Sequence, residues 1–88
     1  MPSKYDPLSR YLQNLSTGQS EVTLQFSELE KILGGSLPDS AFEYREWWSN
    51  QTDYRNRPQA AAWMTSGFRV DEVHLSRSGG RVKFRRSE

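Results

Sequence analysis

Two groups of side chains in this 88-residue chain have the types and spacing to act on another molecule. The first is Tyr54-Arg55-Asn56-Arg57 with Gln59. Arginine can hold a guanine edge through two parallel hydrogen bonds, and asparagine or glutamine can do the same for adenine. The second is a C-terminal series, Arg77, Arg81, Lys83 and Arg85, next to Arg86. Cations in such a row neutralise phosphates, the sequence-independent part of nucleic-acid affinity. The expectation is that Arg55, Asn56, Arg57 and Gln59 make specific contacts while Arg77, Arg81, Lys83 and Arg85 lie on phosphates. The bland alternative is solvation. Outward charges on an edge strand also guard against strand-to-strand aggregation, and a polar loop between helices is ordinary.

Catalytic chemistry finds little support. The lone histidine, His74, lies between Val73 and Leu75 in a predicted strand and faces away from them, as an exposed strand residue would. One histidine makes neither a His-pair metal motif nor a supported Ser-His-Asp arrangement. There are no cysteines, which excludes disulfides and Cys-based zinc sites. The carboxylates are spread over helix caps (Asp6, Glu30, Glu43) and solvated pairs (Glu28/Glu30, Asp71/Glu72). Gly79-Gly80 falls in a hairpin turn and does not open a helix, so no phosphate loop is present. The reading is a non-enzymatic binding module with no cofactor and no metal.

The net charge is +1, unevenly placed. Residues 1–50 hold four basic and seven acidic side chains (−3), and residues 51–88 hold eight basic and four acidic (+4). A basic face contributed by the second half follows. No run of about 18 apolar residues exists to cross a membrane, and the N-terminal MPSKYDPLSRYLQNL lacks an apolar signal core. Mean hydropathy is −0.88. One cytoplasmic domain over residues 1–88 is expected.

The elements that must position these groups are organised around Ser40–Gly67, which carries Trp47, Trp48 and Trp63 with Tyr44 and Tyr54. Asp6-Pro7 opens a first helix whose Leu8, Tyr11, Leu12 and Leu15 form an apolar stripe. Val22, Leu24 and Phe26 alternate with Thr23 and Gln25 as a strand. Ser27 and Glu30 form a capping box for a second helix, which Gly34-Gly35 ends. A third helix starts at a Ser40/Glu43 box and sets Ala41, Tyr44 and Trp48 on one face. A polar loop, Ser49–Arg57, leads to a fourth helix, Pro58–Ser66. A hairpin then runs through Phe68 and Val70, a bulge near Asp71-Glu72, the turn Ser76–Gly80, and a return strand with Val82 and Phe84 inward. The fold class is α+β and winged-helix-like. It has three to four helices and a small three-stranded antiparallel sheet formed by 22–26, 69–75 and 81–86. The third helix, which would be the DNA-reading element, carries Glu43 and Glu46 against one cation, Arg45. The loop and the hairpin are therefore the better contacts.

The runs YDPLSRYL, VTLQFSELEKILGGSLPDSA, REWWSN, QAAAW, GFRVDEVHL and VKFRR, from Tyr5 to Arg86, resemble a small bacterial domain family of unknown function. The resemblance implies a small stand-alone bacterial domain with no assigned activity. The family tends to carry basic residues where this chain has Phe42 and Glu43. It often has a histidine just before the Gln-Ala step, where this chain has Arg57-Pro58.

The favoured partner is nucleic acid, with duplex DNA first. The rival is a protein-interaction or inhibitor module that binds another macromolecule through Phe42 and Trp47 beside the acidic third helix. Tryptophan and tyrosine dominate binding hot spots, and the same aromatic surface is compatible with a homodimer.

Overall fold

The computed structural model describes residues 3–50 and 57–87. Among these, the order is α1 (Asp6–Gln13), β1 (Glu21–Gln25), α2 (Phe26–Leu33), α3 (Asp39–Glu43), a 3-10 turn (Arg45–Trp48), α4 (Pro58–Met64), β2 (Phe68–His74) and β3 (Arg81–Arg86). Both β1 and β2 pair antiparallel with β3, so the C-terminal strand is central. Central placement suits β3, whose Val82 and Phe84 are fully buried while Arg81 and Arg85 face water. Opposite Phe84 stands Val70, but Lys83 is already opposite Glu72, so Asp71 is the extra residue of a bulge. That extra residue resets the parity of β2 and lets Val70 and Val73 both pack against the core.

The core is an aromatic stack. The Trp48 ring lies nearly parallel to Phe26 on one side (centroids 5.1 Å, 12°) and to Trp63 on the other (5.9 Å, 17°). Trp63 continues to Phe84 at 5.6 Å. Each such pair adds about 0.5–1.5 kcal/mol beyond the area it buries. Leu8 and Leu12 of α1 and Leu29 of α2 close the core from the helical side.

The third helix differs from expectation. α3 ends after one turn because Tyr44 is extended (φ −126°, ψ 124°), and the chain restarts as the 3-10 turn. The break lets Trp48 double back, and its buried Nε1–H donates to the Ala41 carbonyl at 2.8 Å. A continuous helix would set Tyr44 and Trp48 on one face. Instead Trp48 is buried and Tyr44 is 57% exposed, the one large apolar side chain left out among the described residues.

Two helix starts also move. α2 begins at Phe26, where the Gln25 N–H donates to Glu28 Oε1 (3.0 Å). Ser27 and Glu30 therefore do not form the box, and Glu30 instead accepts from the Leu37 N–H (2.9 Å). α3 starts at Asp39 with no side-chain cap, so the Ser40/Glu43 box is absent. Gly34 takes the left-handed C-cap position expected of it (φ 75°).

Candidate nucleic-acid interface

Alternation along the strands sends one set of side chains to solvent, and the register lines them up in three cross-strand rows. These are Gln25–Arg81–His74, Thr23–Lys83–Glu72 and Glu21–Arg85–Arg69. The expected outward row Arg81, Lys83, Arg85 is thus real and lies on the central strand. Its charge is not free. Lys83 Nζ sits 3.6 Å from Glu21 and 3.8 Å from Asp71, and Arg85 Nη2 sits 3.2 Å from Glu21 and 3.4 Å from Asp71. Asp71 reaches both because the bulge turns it onto this face. Arg81 makes no ion pair among the described residues, and neither does Arg69.

The cations are therefore dispersed to the two ends of the face. At one end Arg81 and His74 meet Arg45, whose Nη1 donates to the Val73 carbonyl (3.0 Å), around a depression of about 530 Å³ that also touches Lys83 and Glu72. At the other end the outward Arg69 and Arg85 border a depression of about 480 Å³ that Ser20, Arg86 and Ser87 also line, the Arg86 guanidinium itself lying over the inward Phe68 ring. Arg45 and Arg69 were missed as candidates by sequence. Arg69 was findable there, since it alternates with the inward Phe68 and Val70. Arg45 was not, because a continuous third helix gives it no path to the sheet.

Several expected contacts turn out to hold the fold. Gln59 is 7% exposed and donates to the Trp47 carbonyl (3.3 Å), so its amide is a packing group and cannot reach a base edge here. Arg77, at the hairpin turn, bonds Glu43 (2.8 Å) and Asp39 (3.3 Å) of α3 and covers the Phe42 ring at 5.1 Å. Hydrogen bonds to Glu43 first and Asp39 second push its pKa further above the ordinary guanidinium value. Its charge is neutralised in place. Arg57 lies at the loop exit with Nη1 3.4 Å from the Glu46 carbonyl. Arg55 and Asn56 lie outside the described residues. The rest of the loop's frame is Asn50, whose Oδ1 accepts from Trp63 Nε1 (3.1 Å) and Val70 N (2.8 Å) while its Nδ2 donates to the Val70 carbonyl (2.9 Å).

The expected aromatic anchors are also occupied. Phe42 packs edge-on against Phe26 (5.5 Å) under Arg77. Trp47 packs against Tyr5 (5.8 Å), Trp48 (4.6 Å) and Trp63 (6.5 Å). The two residues face different neighbours and do not form one patch.

A family model described as a domain of unknown function (DUF7662) matches residues 5–87. The chain belongs to this family. Neither a curated protein nor a solved structure matches it. The matched span of this DUF7662 domain includes the whole sheet, both charged ends of its outer face and the aromatic stack beneath. Among the described residues no three His, Asp or Glu side chains gather as a metal site, and no helix is long and apolar enough to cross a membrane. Chemically, the face presents guanidinium and ammonium donors with interspersed carboxylates. It offers hydrogen bonds and charge to an anionic partner.

Proposed function

We propose that the domain is a non-enzymatic nucleic-acid-binding module that docks on duplex DNA through the outer face of its sheet. The observation that carries this reading is the composition of that face. Arg45, Arg69, Arg81, Lys83 and Arg85 outnumber Glu21, Asp71 and Glu72, with no large apolar side chain among them. Strands and β-ribbons lie in DNA grooves and on backbones in known modes of docking. The one-turn α3, with Asp39 and Glu43 tied to Arg77, is unsuited to the major groove. Residues 51–56, with Arg55 and Asn56, are flanked by the Asn50 and Arg57 anchors and would supply the specific contacts. The unequal count of charges is small, so the expected affinity is non-specific in scale, about 10⁻⁴–10⁻⁶ M at physiological salt.

The test is fluorescence anisotropy on random-sequence duplex DNA at several salt concentrations. The log–log slope of affinity against salt should be about −0.9 per phosphate contact. Arg69→Glu with Arg81→Glu reverses two of the cations that make no ion pair among the described residues and leaves the four ion pairs of Lys83 and Arg85 intact, so folding should be retained. The double variant should lose binding. Absence of binding by the parent chain at low salt refutes the reading. The rival protein-partner reading rests on Tyr44, the exposed aromatic beside the acidic α3. A partner held there would tolerate the charge reversals and be lost with Tyr44→Ala.

A further inference from the structure

The two edges of the sheet are finished differently. In an antiparallel ladder the backbone groups of alternate residues point to opposite sides of the strand. The Ser87 N–H donates to the Gly67 carbonyl, so Arg69 turns its backbone groups to β3 and Val70 turns its own outward. Side chains close that outer edge of β2. Asn50 holds both the N–H and the C=O of Val70, and Arg45 donates to the Val73 carbonyl. The outer edge of β1 has no such cover. The Arg86 N–H donates to the Ser20 carbonyl and the Phe26 N–H to the Gly80 carbonyl, so Val22 and Leu24, in step with Ser20 and Phe26, turn their backbone groups to β3. Glu21, Thr23 and Gln25 turn theirs away from the sheet. The Glu21 carbonyl accepts from the Gln19 side chain (3.2 Å), and the Gln25 N–H donates to Glu28 (3.0 Å). Between them lies Thr23, exposed, with neither its N–H nor its C=O bonded among the described residues. Edges are commonly blunted with lysine, proline or a bulge. The strand Glu-Val-Thr-Leu-Gln has none of these, its register with β3 is unbroken, and its one charge, Glu21, is taken up by Lys83 and Arg85.

We propose that β1 is a pairing edge for a second copy of this chain, the two β1 strands running antiparallel about a two-fold axis at Thr23. The strand complements itself in that register. The two Thr23 residues exchange N–H to C=O bonds in both directions, which engages the only edge residue with both groups free. On the outer face Glu21 stands opposite the partner's Gln25, an acceptor against an amide donor, and the partner's Arg81, which makes no ion pair among the described residues, lies one strand further along the same row. On the inner face Val22 stands opposite the partner's Leu24 at the closer, non-hydrogen-bonded spacing of about 4.5 Å between Cα atoms. Val22 faces inward yet is only half-buried, because no strand lies beyond it. A second copy covers it twice over by symmetry. Two three-stranded sheets would become one of six, with both charged outer faces on the same side. The pairing does not depend on the DNA reading and is tested without DNA.

The experiment is sedimentation velocity of the whole chain over a range of concentrations, with amide hydrogen exchange read by NMR on the same samples. The expected result is an apparent mass that rises toward twice the chain's 10.2 kDa, and exchange at the Thr23 N–H that slows as the concentration rises. Thr23→Pro removes an outward N–H and no bond to β3, a place where an edge strand accepts proline. It should raise the dissociation constant of the pair at least about tenfold. Thr23→Glu is the second variant, since it faces Lys83 in its own sheet and keeps the fold. In the pair it sets two carboxylates directly opposite each other, which is unfavourable. Thr23→Glu and Thr23→Lys should each stay monomeric alone and associate when mixed. A chain that stays monomeric at its highest soluble concentration overturns the proposal. So does a dimer that the Thr23 variants leave intact, or one lost only with Tyr44→Ala, because the contact then lies elsewhere. Exchange at Thr23 that is equally fast at every concentration overturns it as well.

Discussion

Asn50 joins three parts of the domain, and its replacement is the sharpest test of how the loop is held. Its one amide satisfies the indole N–H of fully buried Trp63 and both edge groups of Val70. In Asn50→Ala all three bonds go. The two Val70 groups lie on the outer edge of β2, where water can take the place of the side chain, and losing them costs about 0.5–1 kcal/mol each. The Trp63 N–H sits in a ring with no exposed surface, and leaving it unpaired costs about 1–3 kcal/mol. The expected destabilisation is about 2–5 kcal/mol, which for a domain of this size lowers Tm by on the order of 10–30 °C. Urea unfolding followed by tryptophan fluorescence measures it directly, with an unchanged denaturant slope. Asn50→Asp keeps an acceptor for Trp63 and the Val70 N–H but loses the donor to the Val70 carbonyl, so it should fall between the parent and the alanine variant. A loss below about 0.5 kcal/mol for Asn50→Ala would refute the assignment of the indole's partner. An aspartate variant as unstable as the alanine one would show that the acceptor role is not what matters.

Two further outcomes follow from packing. A Cβ at Gly80 would fall on the Phe26 ring and the Ser76 carbonyl, and Phe26 is wedged between Trp48 and Phe42. Gly80→Ala should therefore cost about 1–3 kcal/mol by thermal or chemical unfolding, and an unchanged Tm would contradict the close approach. Trp47→Ala removes a half-buried ring from Tyr5, Trp48 and Trp63 and should cost about 2 kcal/mol. A free binding anchor would instead leave chemical unfolding unaltered.

The sheet and most helices were legible because their signals are local. Period-two alternation at 81–86 and the change of parity near Asp71 gave the strands and the bulge to within a residue. The stripe Leu8, Leu12 with Tyr11 and Leu15 gave α1, and the glycine at 34 gave the end of α2. The third helix was misread for a tertiary reason. Its residues suit a helix through Trp48, but burying both that ring and its N–H against Ala41 is worth more than one further helical turn, so Tyr44 opens. The cap of α2 moved because Ser27 and Gln25 both offer side-chain oxygens there, and Gln25 sits where the strand ends.

The candidate site divides along the same line. From sequence alone it follows that Arg81, Lys83 and Arg85 share a face, that the second half of the chain is basic, and that the tryptophans make the core. Each of these depends on residue type and near-neighbour spacing. Only the folded structure decides which of the cations remain available. Glu21 and Asp71 reach Lys83 and Arg85 through the register of three strands, and Arg77 meets Asp39 and Glu43 across the turn from residues far off in the chain. Gln59 turns inward because the Trp47 carbonyl needs a donor there. A charge or an amide declares its chemistry in the sequence, but what neutralises or engages it is set by whatever the chain brings within about 4 Å, where Coulomb and hydrogen-bond energies are decided.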